Sequence, residues 1–573
     1  MDFRWITDDS PLAVFLERSG LRRVLGEPVR LLLSRSQRER QRIIRGDFEA
    51  CRGSLAALAG GVPPGDVENV AWMISSLPTV WGLKMDGVLS LAVRASNFRP
   101  AAVHLSRDRW SREYYRLFGM GQALEFPRFR AAVSAMPAAA EVVEFAHSRA
   151  GIRDLLRLSF HQVDIGRVAM SNVLNRRKFS RFDLSEPATF TEVCRELVRV
   201  QRNVVAAEQM IESGRPRMAL LLEKGLSPAA EIFGACVARG IPVVQYSGSQ
   251  RTNSLILRRY LMHNRHQHPF SLDAGTWQRV KAMAWGPARE AELMAVLEES
   301  YRQGTWFQRK FLHEGKQIKA PEAVRKQLGL DPAKKTAVIF SHVLWDATFF
   351  YGDGLFDDYE TWLVETVRAA CANPRVNWVV KLHPDLVWKL RYEGYQGELR
   401  DILAVRSAVG LLPAHVKLVP PETDISTFSF FQVTDYCLTV RGTIGIEMAC
   451  HGVPVLTAGT GRYAGLGFTI DSGSTGEYLD RLARIEIIPP LSPGEVELAR
   501  RFAYALFTLR PWEVRSVEMV KAPMEKTGHP LDHNLVAHVT SYAELTAASD
   551  FRRFAEWLAS EEIDYLSGDG GST

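Results

Sequence analysis

The sequence predicts an α/β protein of two lobes, each a parallel sheet covered by helices, with the sheets facing a central cleft. Three observations predict it. Arg217–Leu222 (RMALLL), a turn over Glu223–Pro228, a helix over Ala229–Arg239 stopped by Gly240, and Ile241–Tyr246 (IPVVQY) make one βαβ unit. Far downstream, Asp435–Ala458 (DYCLTVRGTIGIEMACHGVPVLTA) repeats the pattern: apolar strand, turn of small residues, short helix, glycine stop, second apolar strand. Between the two, Leu272–Gly315 is charged and helical in pattern and reads as a hinge. A chain of 573 residues also exceeds what one core usually supports.

In order along the chain, residues 1–75 read as short amphipathic helical segments, an N-terminal extension docked on the first lobe. The first lobe spans 76–271, with strand-bearing segments at Val80–Val93 and Ala101–Leu105 and a mostly helical stretch over Phe129–Arg177. The helical hinge takes 272–332. In the second lobe, 333–490, strands are expected at Ala337–Ser341, Trp378–Leu382, Val416–Val419, Tyr436–Val440 and Val453–Thr457, with a helix over Tyr359–Ala372. Residues 491–573 return to helix over Pro493–Leu509 and close on a disordered-looking tail, Ser567–Thr573.

Composition excludes several classes. The net charge of +6, from 71 basic and 65 acidic residues, is small for this length, and no basic tract interleaved with glycine and aromatics suggests RNA binding. Arg35–Arg45 and Asn175–Phe182 are locally basic and read as solvated helix faces. Six scattered cysteines without a CxxC pair favour a reducing compartment. The N-terminus MDFRWITDDS has no apolar core of a signal peptide. No run approaches the ~20 apolar residues of a membrane helix. A cytoplasmic protein is expected, any contact with the inner membrane being peripheral.

The candidate site begins at Arg441-Gly442-Thr443, where a strand gives way to a helix. A phosphate there meets free backbone N–H groups, the positive end of a helix dipole, a hydroxyl and a guanidinium. Lys381-Leu382-His383-Pro384 ends another strand of the same lobe. Ligands of open α/β sheets lie beyond the carboxyl ends of strands, and Pro384 stiffens the turn that presents His383. An imidazole beside a phosphate donates a hydrogen bond or a proton to a departing oxygen. Glu447, one helical turn past Thr443, reads either as a ribose ligand or as a helix-terminus charge. His342, Trp345 and Asp346 leave the first strand of the lobe toward the cleft, whereas Asp357-Asp358 reads as the cap of the Tyr359 helix.

In the first lobe, Glu223 follows its strand directly and stands where a general base would, with Lys224 keeping it ionised and Gly225 opening the turn. Arg251 and Asn253, in Tyr246–Tyr260, are candidate sugar or anion ligands. His263, His266 and His268 lack a carboxylate at helical spacing, so no metal site is predicted, and no cofactor. Each of these residues also has a plainer reading as turn, cap or core.

The second-lobe motifs KLHP (Lys381–Pro384) and TVRGTIGIEMACHGVPVL (Thr439–Leu456), with KGLSPAAEIFGACVARGIPVVQYSGSQRTNSLIL (Lys224–Leu257), resemble the bacterial capsule polysaccharide biosynthesis proteins. These are GT-B glycosyltransferase-like proteins that include the Kdo transferases of capsule assembly. The resemblance runs from about Met218 to Ile470 and implies a GT-B-like fold of two Rossmann-like lobes. It further implies a His-Pro pair and a hydroxyl-bearing turn on the phosphate of a CMP-sugar, matched by His383-Pro384 and Thr443. The family's acidic-acidic-Gly base motif is matched by Glu223-Lys224-Gly225, with Lys224 in place of an acid. The implied function is a metal-independent glycosyltransferase of surface polysaccharide assembly, using a nucleotide-sugar donor (CMP-Kdo-like among the options) and a glycan or lipid-linked glycan acceptor. A UDP-sugar 2-epimerase-like enzyme and an inactive glycan-assembly scaffold are the alternatives.

Overall fold

Among the described residues fifteen short strands, seven of them buried along their whole length, assemble into two large sheets and one hairpin. The structure, a computed structural model, describes residues 35–59, 68–75, 80–106, 109–121, 123–148, 151–178, 181–303, 315–387, 397–521 and 533–568. In chain order the strands are β1 (Val70–Ile74), β2 (Arg99–His104), β3 (Ala123–Glu125), β4 (Met218–Leu221), β5 (Val243–Gly248), β6 (Ser254–Tyr260), β7 (Thr336–Phe340) and β8 (Asn377–Lys381). They continue with β9 (Val416–Val419), β10 (Tyr436–Thr439), β11 (Val455–Thr457), β12 (Ile470–Asp471), β13 (Pro511–Glu513), β14 (Val517–Lys521) and β15 (His533–Ala537).

The first sheet runs β13-β6-β5-β4-β1-β2-β3, the second β12-β11-β10-β7-β8-β9, and β14 pairs with β15. The second sheet is parallel throughout. In the first, β1 to β5 are parallel, while β6 and β13 join antiparallel at one edge. Near-continuous apolar strands such as Val70–Ile74 (VAWMI) and Thr336–Phe340 (TAVIF) suit a sheet with helices on both faces. The two-lobed, Rossmann-like α/β expectation holds. Strand order reverses between β1 and β4 in one lobe and between β7 and β10 in the other, and these reversals open crevices at the carboxyl edge of each sheet.

Several expectations are corrected. Val80–Val93 is not strand-bearing: Val80–Ala95 is one helix, buried over most of its length. A long apolar run buried on several sides carries no clean period, so strand and helix look alike in sequence. The helical extension expected over residues 1–75 contains the helix Arg35–Ala59, yet Val70–Ile74 is a central strand of the first sheet; residues 1–34 lie outside the described residues. The helices expected after 491 are present, at Pro493–Tyr504, Ala505–Leu509, Tyr542–Ala547 and Ser549–Ala559, but β13 to β15, not expected there, lie between them. β13 completes the edge of the first sheet, a pairing set by partners far away in sequence. The span expected as a hinge, 272–332, holds the helices Ala274–Ala282, Pro287–Arg302 and Pro321–Leu328, and most of the expected tail, 569–573, lies outside the described residues. No described helix is long and apolar enough to cross a membrane.

The central cleft is not open along its length. The segment Ser341–Asp358, which follows β7, runs between the lobes. Arg167 of the first lobe donates to the carbonyls of Phe349 and Gly352, both at 3.1 Å, and pairs with Asp353 at 2.5 Å. The Gly352 N–H donates to His266 O at 2.8 Å, and the His268 N–H to Gly461 O at 2.8 Å. Gly352 and Gly461 take positive φ, +69° and +89°, and a Cβ on Gly461 would stand 2.7 Å from the Gly352 Cα. The backbones meet where no side chain fits. One apolar cluster continues across the seam, from Val168 and Val204 of the first lobe to Val343, Trp345 and Trp362 of the second.

The C-terminal chain is fastened by charge. Arg258 on β6 and Arg510 beside β13 share the carboxylate of Asp564, at 2.7 and 3.3 Å, and all three side chains are fully buried. Removing the shared anion strands two cations out of water. Asp564→Ala is expected to lose about 4 kcal/mol of stability, read as a lower urea midpoint.

Candidate functional site

The second-lobe site is assembled at the reversal between β7 and β10. Arg441-Gly442-Thr443 leaves β10, and the helix Thr443–Cys450 starts with Gly442 as its cap, so no side chain satisfies the first N–H groups. His342, leaving β7, lies beneath this turn. Its Nε2 accepts the Val440 N–H at 3.2 Å and lies 3.1 Å from Thr439 Oγ1, which in turn accepts the Gly442 N–H at 3.1 Å. The imidazole stacks on Tyr359 at 4.6 Å. Burial, with His383, Arg441 and Arg462 nearby, drives its pKa well below the usual value. His342 is therefore a neutral prop for the turn, a correction to its expected place on the phosphate.

Arg441 is 5 % exposed, and its Nε and Nη1 have no hydrogen-bond partner among the described residues. A buried guanidinium with two idle donors is unusual, because buried polar groups are as a rule hydrogen-bonded. Thr443 Oγ1 accepts from Arg462 Nη2 at 2.7 Å, and Arg462 Nη1 donates to Arg441 O at 3.1 Å. Burial lowers the Arg462 pKa to about 10. Sequence reading missed Arg462, although it follows the carboxyl end of β11, where the same edge rule would have found it.

His383 arrives from β8. Its N–H donates to Ser341 Oγ at 3.0 Å, and its Nδ1 accepts the Asp385 N–H at 3.2 Å. With Nδ1 accepting, the ring carries its proton on Nε2. Pro384 starts the following turn and is half-buried. The structure thus gathers His383, His342, Arg441, Gly442 and Thr443 at one sheet edge.

Two expected members of this group face elsewhere. Lys381 is buried on the other face of the sheet, its Nζ 5.7 Å from the Phe430 ring centre, and burial with Lys316 nearby lowers its pKa to about 7. It packs with its register partner Phe340 and with Phe430, whereas His342 packs on Tyr359 and Trp362 in the other core. Glu447 is buried and accepts the Tyr301 hydroxyl at 2.5 Å, where a ribose was expected. Burial raises its pKa to about 7, against the Tyr301 hydrogen bond and Arg462.

In the first lobe, Glu223 follows β4 at the reversal point. Its Oε1 accepts the Gly225 N–H at 2.8 Å. Burial raises its pKa; the Gly225 amide opposes this, Asp346 from the second lobe adds to it, and Lys224 opposes it. Lys224 acts in the direction expected of it, toward the ionised carboxylate, but desolvation outweighs it and the pKa is raised. Lys224 turns away to the Arg265 carbonyl, within 4.3 Å of the Tyr260 ring centre and 5.1 Å of that of Tyr351, and burial lowers its pKa to about 7. Gly225 takes the ring of Phe350 where a Cβ would project.

Arg251 and Asn253, expected as sugar or anion ligands, are engaged within the fold. Arg251 pairs with Glu513 at 2.7 Å, and Asn253 holds Val514 O and, at 2.8 Å, the Met519 N–H. They tie the β5–β6 turn to β13 and β14. His266 finds the carboxylate that its own helix spacing lacked: its Nε2 is 2.7 Å from Asp164, which also binds Arg265 at 2.9 Å. His268 packs on Tyr351 at 4.6 Å, with its Nδ1 accepting the Phe270 N–H, and burial with Arg462, Arg441, Lys224 and Arg258 around it pushes its pKa well down. Among the described residues no group of three or more His, Cys, Asp or Glu side chains gathers as a metal site would.

Solved structures similar to this chain include the KpsC β-Kdo 2,4-transferase of Thermosulfurimonas dismutans, at 16% identity over 52% of this chain and 81% of that one, TM-score 0.32. Others are the UDP-GlcNAc 2-epimerase of Neisseria meningitidis bound to UDP-GlcNAc (11%, 76% and 95%, TM-score 0.26) and the spinosyn rhamnosyltransferase SpnG (11%, 76% and 95%, TM-score 0.25). No family model matches the sequence, and no curated protein does. The fold assignment rests on the two sheets themselves.

Asp164 gives a pH test. Burial acts to raise its pKa, but the hydrogen bonds from His266 and Arg265 outweigh it and hold the carboxyl at about 2, below the usual 3.8. A depressed carboxylate contributes stability above its unfolded pKa and loses it as pH falls through the folded one. Asp164→Asn should therefore be less stable than wild type at pH 5 by about 2 kcal/mol, the gap closing between pH 4 and 2 in urea titrations.

Proposed function

We propose that this chain is a glycosyltransferase that takes a nucleotide-sugar donor on its second lobe and a glycan acceptor on its first. The observation that supports this most is Arg441: two idle, buried guanidinium donors beside an uncapped helix start, at a strand-order reversal. In this reading the donor phosphate sits against Arg441, Gly442 and Thr443, with His383 Nε2–H on the oxygen that departs. When the bond from the anomeric carbon to that oxygen breaks, the electron pair moves to the phosphate. Preorganised donors aimed at that charge supply much of the rate enhancement. Two groups stand where the acceptor's proton can go, Glu223 with its raised pKa and His266 with its carboxylate partner. A builder of bacterial surface polysaccharide is the function the KLHP and TVRGTIGIEMACHGVPVL motifs favour.

One observation favours the scaffold alternative: Lys224, in place of an acid, is held among aromatic rings from both lobes.

A thermal-shift panel of CMP, UDP and GDP tests the anion subsite. One nucleotide should raise the melting temperature of the wild type, and Arg441→Gln should lose that shift, its Kd rising at least tenfold while the nucleotide-free protein melts unchanged. No shift with any of the three would support the scaffold. With the matching sugar nucleotide, His383→Ala should lower kcat by about 100-fold with little change in KM; turnover equal to wild type would remove His383 from the mechanism.

A further inference from the structure

A crevice at the seam of the two lobes is lined by Asp164, Arg167, Lys224, Gly225 and His266 of the first lobe and by Phe349 and Phe350 of the second. Its charges are already balanced: Asp164 is paired with Arg265 and His266, and Arg167 with Asp353. Such a site offers nothing to a free ion. Aromatic walls with a few oriented polar groups suit the apolar face and hydroxyl edge of a sugar ring.

Within it, His266 is built as a base. Its Nε2 is 2.7 Å from Asp164, which fixes the tautomer and orientation, while the ring remains 35% exposed. Nδ1 makes no hydrogen bond to any described residue and is the nitrogen available to the crevice. Asp164 keeps its charge down to about pH 2: burial opposes this, and the hydrogen bonds of His266 and Arg265 prevail. The crevice lies beside the anion subsite: His266 O accepts the Gly352 N–H at 2.8 Å, and two residues on, a Cβ at Gly354 would stand 3.9 Å from the Arg441 guanidinium. The carboxyl of Asp353 is kept below its usual pKa, against burial, by Arg167, with His266 and Arg441 both contributing. His266 and Arg441 thus act on one carboxylate from opposite lobes. Glu223 does not line this crevice.

We propose that this crevice is the acceptor subsite and that His266, oriented by Asp164, is the catalytic base that takes the proton of an acceptor sugar hydroxyl. The inference rests on the transferase reading and moves the base from Glu223 to His266. The acceptor O–H bond breaks, its proton passing to His266 Nδ1. The acceptor oxygen bonds to the anomeric carbon, and the donor phosphate leaves with the electron pair of the old C–O bond. Asp164 compensates the imidazolium charge. The other charged groups facing the imidazole are Arg265, Arg167 and Lys224 in the crevice lining and Asp353 beside Arg167.

The test measures nucleotide release from CMP-Kdo, UDP-GlcNAc and GDP-mannose, using the full chain. With the donor that stabilises the wild type, His266→Ala should lower kcat at least 100-fold and leave the donor-induced melting shift intact. Added imidazole should restore at least a tenth of the wild-type rate. Asp164→Asn should lower kcat about tenfold and move the acidic limb of the pH profile, whereas a merely structural pair would change melting without moving that limb; His266→Gln, which keeps a polar ring-sized group, serves if alanine fails to fold. Wild-type kcat in His266→Ala, or loss of kcat together with the donor shift, overturns the assignment while leaving the transferase reading in place. Absence of any donor shift or turnover in the wild type overturns the transferase reading, and the base with it.

Discussion

Three charges with no access to water hold this molecule in order. The Asp564 carboxylate neutralises Arg258 and Arg510, and their terminal nitrogens also donate to backbone: Arg258 to Ser271 O, Arg510 to Pro269 O, Ser271 O and Leu257 O. Arg258 also binds the Gln267 side chain. The cost of burying such a group is offset only when every charge is matched and most donors are used. The consequence is local rigidity in the chain from Gln267 to Ser271. That chain carries His268 and follows His266, so an ion cluster inside the fold fixes the residues that meet the second lobe.

From this fixed segment the two carboxyl edges are set against each other. Glu223 stands at the strand reversal of one sheet and the Arg441–Thr443 turn at that of the other, with Ser341–Asp358 running between. The segment touches both sites: Ser341 holds the His383 N–H, and Asp346 raises the Glu223 pKa after burial has done so. The strongest contrast lies in how the cations are treated. Arg258, Arg510 and Arg167 are matched by carboxylates, whereas Arg441 keeps two donors idle in the interior. That difference is what the proposed anion at Arg441 would account for.

Much of this was legible in the sequence, and the failures share a cause. Both βαβ units, the Arg441-Gly442-Thr443 corner and the end of β8 at His383 are local patterns, fixed by apolar runs and turn residues within about twenty positions. What escaped depended on distant partners. Val80–Ala95 is helical because it is buried on several faces, which erases its period. Arg251 and Asn253 look like loop ligands until β13 and β14 arrive beside them. Glu447 occupies the helix position expected of it, but Tyr301, far off in the chain, takes its carboxylate. His266 lacked a carboxylate at helical spacing because Asp164 lies a hundred residues away. Side-chain roles set by tertiary contact leave no periodic trace.

The backbone seam at Gly352 and Gly461 carries a consequence for how such a chain can change over time. His266 O and His268 N–H meet the amide of Gly352 and the carbonyl of Gly461, so this line of apposition is written in main-chain atoms. Substitution of neighbouring side chains leaves those atoms in place. The two lobes are free to drift in surface chemistry, and to take up different sugars, without losing their registration. Only the two glycines, where any Cβ would collide, are denied that freedom.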